Sequence, residues 1–261
     1  MKTRRFATCF ALLLSIALSV NAETLTARTP RGATLQVLAD LPAGAGPFPA
    51  VVLASGTGYH MALPVLEQSA RRLNAAGIAV YRFNWAYFSP SDGKPGRPSE
   101  DLSLELEDMA SVLALVRADA RVDKDRISVG GKSMGSMVAW RTFRADSTLH
   151  SGLFLTPICS RQTKDEAMPR GVADANYPGL AEESRPMSFI AGDRDPLCAP
   201  AFLYRFAASN AGGKARVAVI GGDHSFETQV NATAKGAITH ARNIAAAAQG
   251  AADFVAEFSV D

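Results

Sequence analysis

The chain has 261 residues, 48% of them hydrophobic and 20% charged. That balance excludes a disordered tail and a small disulfide-stapled scaffold, and the length fits one or two domains. The formal net charge is +2, but Lys2, Arg4 and Arg5 all precede the first acid, Glu23. Without those three, the 27 basic residues fall below the 25 acidic ones. A near-neutral body with no basic run excludes nucleic acid as a partner.

Met1 to Arg5 is a positive n-region, Phe6 to Val20 is largely apolar, and Val20-Asn21-Ala22 offers small residues at the −3 and −1 positions of a cleavage site. The apolar stretch is short for a bilayer span, which needs about 20 residues. Residues 1–22 therefore read as a signal peptide cleaved after Ala22, against a buried helix or a retained anchor. Residues 23–261 then form the working domain, periplasmic or secreted, with no stable membrane anchor after cleavage. The Ala-rich stretch at 244–256 is interrupted by Gln249, Gly250 and Asp253. Cys159 and Cys198 lie in the exported part, and an exported chain can keep a disulfide. Each follows an expected strand, which puts both at one end of a sheet. Two small buried hydrophobes are the alternative.

Short β-branched runs alternate with longer helical patterns. Thr34–Leu38 opens the series, and Ala50–Ala54 is a continuous apolar run, as in a strand covered on both faces. Leu66, Ala70 and Leu73 share a helical face that ends at Gly77, a C-cap residue. Ile78–Phe83 is the next strand, followed by a Pro- and Gly-rich loop over 89–98. Leu102, Leu106, Met109, Leu113 and Val116 mark a second helix, with Glu100 and Asp101 at its positive end. Ile127–Val129 is a short strand and Met134–Arg144 a helix. Gly152–Thr156, Met187–Ala191 and Ala215–Ile220 are three more strands. A last helix buries Ile244, Ala247, Ala251, Phe254 and Phe258. This alternation predicts one α/β domain with a mostly parallel sheet and helices on both faces.

In such sheets ligands bind outside the carboxyl ends of the strands. After Val129 comes Gly130-Gly-Lys-Ser133-Met-Gly135, which contains G-x-S-x-G between a strand and a helix. A sharp turn there pushes the serine hydroxyl out above the sheet, and the glycines avoid collisions. A phosphate loop would need glycine at position 126, which is Arg126. A serine needs a base, and the base an orienting carboxylate, in the chain order Ser, Asp or Glu, His. Of His60, His150, His224 and His240, only His224 follows a strand downstream of the serine; His240 reads as helix surface. The acid comes from Gly192-Asp193-Arg-Asp195-Pro196. Asp195 is preferred because Asp193, in the tight turn, suits backbone capping, while Asp223 would point away from the imidazole beside it. Two backbone N–H groups would complete an oxyanion hole: Met134, after the serine, and Thr57, in the Ser55–Gly58 loop. No H-x-H or H-E-x-x-H pair suggests a metal.

On Gly131-Lys-Ser133-Met-Gly135, Gly192-Asp-Arg-Asp195-Pro and Gly222-Asp-His224-Ser-Phe, the chain resembles the α/β-hydrolase superfamily. Within it, it resembles the small capless dienelactone-hydrolase-like branch, over residues 34–258. Dienelactone hydrolases carry cysteine where this chain has Ser133, so their lactone substrate does not carry over. Many relatives also have His-Gly where Ser55-Gly56 stands here. About 30 residues separate the strands ending at Thr156 and beginning at Met187, too few for a large cap, so the site should be open. Tyr59, His60, Trp85, Tyr87, Phe88 and the 158–185 segment are candidate pocket walls, with loop anchoring as the alternative reading of the aromatics. The resemblance implies a serine hydrolase of carboxylesterase type acting on a small-molecule ester, with no cofactor and no metal. An acyltransferase or small-peptide hydrolase using the same triad is the second reading, and a non-catalytic binding protein the third. Nothing in the sequence specifies an oligomeric state.

Overall fold

The structure is a computed structural model and describes residues 22–88, 96–161, 170–228 and 234–259. The signal-peptide reading, apart from Ala22, falls outside the described residues, as do positions 89–95 of the Pro- and Gly-rich loop and 162–169 of the 158–185 segment. In chain order the elements begin β1 (Ala22–Arg28), β2 (Thr34–Asp40), β3 (Phe48–Ala54), α1 (Pro64–Ala75), β4 (Ala79–Phe83), α2 (Ser103–Ala118), β5 (Val122–Lys132) and α3 (Met134–Ala145). They continue with β6 (Gly152–Leu155), β7 (Ser160–Arg161), β8 (Arg170–Gly171), α4 (Ala173–Asn176), β9 (Met187–Gly192), α5 (Pro200–Ala208), β10 (Ala215–Ile220) and α6 (Ala234–Ser259).

Eight strands form one sheet in the order β1-β2-β4-β3-β5-β6-β9-β10, and β7 pairs with β8 apart from it. From β4 to β10 every neighbouring pair is parallel, while β2 runs antiparallel to both β1 and β4. The alternation of side chains along a strand explains the apolar runs. On β3, Ala50, Val52 and Ala54 join the core beneath α2, α3 and α5, while Val51 and Leu53 join the core beneath α1 and α6. Tyr81 and Phe83 of β4 point to the first core and Val80 to the second. Both faces are buried, so a polar side chain within these strands needs a partner. Arg82 of β4 has them: its guanidinium donates to Asp40 of β2 at 2.8 and 3.0 Å and to the Met61 carbonyl at 2.9 Å.

Two expectations need correction. Leu102 is not in the second helix; it stands at the N-cap with φ 62°, and α2 begins at Ser103. Asp101 accepts the Ser103 N–H at 3.0 Å, and the Ser99 hydroxyl accepts the Leu104 N–H at 3.3 Å, so the helix start is fixed from outside. The strand at 127–129 is also much longer, extending back to Val122. β1 is an edge strand that the sequence reading missed.

β6 and β9 are neighbours, and the segments leaving their carboxyl ends are joined by a Cys159–Cys198 disulfide. The Leu197 carbonyl accepts the N–H groups of Cys159 and Ser160 at 3.0 and 2.9 Å. The bridge closes a loop across 39 positions, which corresponds to about 4 kcal/mol of stabilisation in the chain-entropy account. Reduction should therefore move the denaturant midpoint down by a matching amount. A midpoint indifferent to dithiothreitol would mean that the thiols are not bridged in the protein.

Candidate active site

Ser133 sits between the end of β5 and the start of α3, with φ 56° and ψ −123°. A left-handed φ is uncommon for a residue with a side chain and is held only where the surroundings impose it. They do so here through the flanking glycines. A Cβ at Gly131 would lie 2.3 Å from the Gly135 carbonyl oxygen, and one at Gly135 would lie 2.4 Å from that of Ser55. The chain can therefore turn from strand to helix within van der Waals contact of the neighbouring loop only if both positions lack a side chain.

The turn is braced from below by hydroxyl groups. Ser136 Oγ donates to the Ser133 carbonyl at 2.5 Å and lies 2.8 Å from the Tyr177 hydroxyl, which accepts the Ile158 N–H at 2.8 Å. Tyr177 is buried, and that burial pushes its phenol well above the usual range. A Tyr177→Phe variant leaves the Ile158 N–H without this acceptor and should lose about 1–3 kcal/mol, read from the urea midpoint. Neither Ser136 nor Tyr177 was singled out in the sequence. Ser136 stands three residues past the nucleophile, where a helix residue reaches back, but Tyr177 belongs to no recognisable pattern.

His224 follows β10 and Asp195 follows β9, so both stand at the carboxyl end of the sheet with Ser133. His224 Nε2 is 2.9 Å from Ser133 Oγ, and Nδ1 is 2.8 and 3.0 Å from the two oxygens of Asp195. An ionised carboxylate only accepts, so Nδ1 carries the proton, leaving the Nε2 lone pair for the serine hydroxyl. Asp195 is almost fully buried and also accepts the Leu197 N–H at 2.8 Å. The other aspartates serve the turns. Asp193 accepts the Gly222 N–H at 2.7 Å, and Asp223 accepts those of Ser225 and Glu227 at 2.8 and 3.0 Å. Asp195 is thus the carboxylate that meets the imidazole.

Met134 is the first residue of α3, so its N–H has no acceptor within the helix. Across from it, the Ser55–Gly58 loop closes on the serine: a Cβ at Gly56 would lie 3.0 Å from Ser133 Cβ. Thr57, the next residue, is exposed. Ser55 steadies this loop by donating its hydroxyl to the Tyr59 carbonyl at 3.0 Å.

The expected pocket walls divide. Trp85 is not one of them: it is fully buried, packs edge-on against Phe83 at 4.7 Å and donates its indole N–H to the Ser55 carbonyl at 2.9 Å. An indole with a polar partner inside the core is an anchor for the loop above it. Tyr87 and Phe88 are half-buried and pack against the same core, with Phe88 6.1 Å from the exposed His60 ring. His60 accepts the Ala62 N–H at 3.2 Å and His150 bonds the Phe258 carbonyl. His240, read as helix surface, is half-buried, with Nδ1 3.1 Å from the Phe226 carbonyl. Tyr59 does line a cavity, of about 160 Å³, with Lys132, Ser225, Glu227 and His240 among its other walls. Among the described residues, no cluster of three or more His, Cys, Asp or Glu could hold a metal ion.

A serine on a strained strand-to-helix turn, a histidine after the last strand and a carboxylate after the strand beside it are the arrangement of the α/β-hydrolase class. Residues 48–256 match the family model described as an alpha/beta hydrolase domain, and the chain belongs to that family. It is 28% identical over 155 residues to the quorum-quenching protein AidA of Acinetobacter baumannii, across 58% of this chain and 50% of that protein. The chain thus matches about half the length of that curated relative. Among solved structures it is similar to a serine hydrolase without a lid from Xanthomonas campestris (TM-score 0.63, 20% identity, 92% of this chain and 96% of that one). It is also similar to Est1E of Butyrivibrio proteoclasticus with ferulic acid bound (TM-score 0.68, 14% identity, 91% of this chain and 100% of that one).

Proposed function

We propose that this chain is an exported serine hydrolase that cleaves small or medium carboxylic esters through an acyl-enzyme on Ser133. The observation that carries the reading is the continuous line from Ser133 Oγ through His224 to Asp195, with 2.9 and 2.8 Å contacts on a strained turn. Ser133 Oγ attacks the ester carbonyl while its proton passes to His224 Nε2. The Met134 and Thr57 N–H groups hold the oxygen that becomes negative. Nε2 then gives the proton to the departing alkoxide. A water repeats the sequence against the acyl-enzyme, releasing the acid and restoring the serine. Asp195 holds the imidazole through Nδ1 and stabilises the imidazolium that forms twice per turnover.

Small and medium esters suit a sheet end where the described residues between β6 and β9 form short elements, β7, β8 and α4 among them. The positive, apolar and small-residue sequence of the first 22 positions supports export, as does a disulfide, which persists in oxidising compartments. Mass analysis of the protein from a periplasmic or culture fraction would test this, with Glu23 as the expected first residue.

Labelling by a fluorophosphonate probe tests the activity, with Ser133→Ala alongside and the adduct mapped by mass. Labelling at Ser133 that the variant abolishes is the expected result. No labelling of the folded protein would sink the reading and favour a hydrolase fold used only for binding. An ester panel follows, graded by acyl length. It includes quorum-sensing signal molecules because of the relative named for quorum quenching. Added alcohol or amine acceptors would divert product if acyl transfer were the main reaction.

A further inference from the structure

Lys132 stands inside the G-x-S-x-G segment, one residue before the nucleophile, yet it is 1% exposed and among the largest fully buried side chains of the protein. A buried lysine is rare unless it is paired. Its Nζ donates to the backbone carbonyl of His224 at 3.0 Å and lies 5.1 Å from the centroid of the Tyr59 ring. Lys132 therefore spans from the loop after β3 to the loop after β10, beneath both, and belongs to β5 itself. Three segments that must keep register for catalysis meet on one side chain.

We infer that Lys132 is a positioning residue, whose charged ammonium clamps the His224 loop against the Tyr59 loop and so keeps the imidazole on Ser133. This rests on the triad reading above and extends it. The His224 loop contains Gly221 and Gly222 and is tied on either side of the histidine, by Asp193 and the Arg194 N–H at Gly222, by the Asp223 turn, and by His240 and Asn243 at the Phe226 carbonyl. The bond from Lys132 falls on His224 itself and comes from the strand that carries Ser133, so it bears directly on the distance between the two. A hydrogen bond from a charged donor to a carbonyl is roughly twice as strong as a neutral one. The ring face of Tyr59 adds a cation–π contact.

The surroundings also explain why the side chain is a cation at neutral pH. Asp195 on the loop after β9 and Asp223 beside His224 both favour the charge, against a larger opposing effect of burial. Glu227 from the His224 side and His240 from α6 line the adjoining 160 Å³ cavity with Tyr59. With those carboxylates present, a bound anion is not needed to balance the ammonium. Burial nevertheless pulls the lysine down to about 8. Raising the pH through that value removes the proton, and the clamp is reduced to a weak neutral donor.

The test compares pH–rate profiles of wild type, Lys132→Met and Lys132→Gln on one ester, after wild-type labelling at Ser133 has been established. Lys132→Met should lower kcat at pH 7 by about 10–100-fold, the cost of a slight misplacement of a catalytic group, with KM little changed. The wild type should lose activity as the pH rises past about 8. In both variants that alkaline limb should be absent. Lys132→Gln keeps an N–H donor without charge, and loss of the alkaline limb in it would carry the inference even if the methionine variant does not fold. An unchanged kcat in a folded variant, or the same alkaline limb in all three proteins, would overturn it. Failure of the wild type to label would instead overturn the triad reading, so the two are told apart.

Discussion

Ser133→Ala is expected to lower kcat/KM on an ester by on the order of 10⁶, His224→Ala by a similar factor, and the double variant by no more than either single one. The reason is geometric. Ser133 Oγ and His224 Nε2 share one hydrogen bond at 2.9 Å, and each group is inert in attack without the other. The rate expected to survive is that of an oxyanion hole alone, roughly 10³–10⁴ over water. Steady-state rates on a chromogenic ester, with each preparation's concentration taken from absorbance and its fold checked by circular dichroism, would decide the matter. Effects that multiplied across the two sites would show two independent groups and defeat the mechanism.

Much of this arrangement could be read from the residues because the sheet imposes it. Strands buried on both faces must be continuous apolar runs, which marks β3, β4, β6 and β9. Once their ends are marked, few positions remain where a ligand can be held. Ser133, Asp195 and His224 each fall just past such an end. What was not legible has a physical reason in each case. β5 starts with Val122-Asp-Lys-Asp-Arg126, whose charged side chains are exposed or half-buried and break the apolar run that marks a strand. β1 is mostly exposed and polar because it has one strand neighbour and little core to cover. Trp85 sits just past β4, where a wall residue would stand, but an indole N–H finding the Ser55 carbonyl draws the ring inward. Lys132 misleads for the opposite reason. A charge among glycines looks solvated, and nothing local announces that the His224 carbonyl and the Tyr59 ring will close over it. Such contacts join residues far apart in sequence, and no periodicity encodes them.

The choice between the two aspartates yields the second large effect. Asp195→Asn should lower kcat by about 10⁴, while Asp193→Asn should stay within about tenfold of wild type, since a side-chain carbonyl still accepts the Gly222 N–H. The size of the first effect follows from where the two oxygens of Asp195 are placed. Oδ1 is held by the Leu197 N–H at 2.8 Å, while Oδ2 makes the shorter contact with His224 Nδ1, also at 2.8 Å. An asparagine has one acceptor oxygen, and the Leu197 N–H keeps it in the Oδ1 position. The amide nitrogen must then occupy the Oδ2 position and donate toward Nδ1, which obliges the imidazole to carry its proton on Nε2. That proton faces Ser133 Oγ, where a lone pair is required. The variant would therefore keep its fold and its ester affinity, and lose turnover through the wrong tautomer. Measuring kcat and KM separately for both variants tests this. A larger loss in Asp193→Asn than in Asp195→Asn would move the orienting carboxylate to Asp193, and with it the account of how the histidine is held.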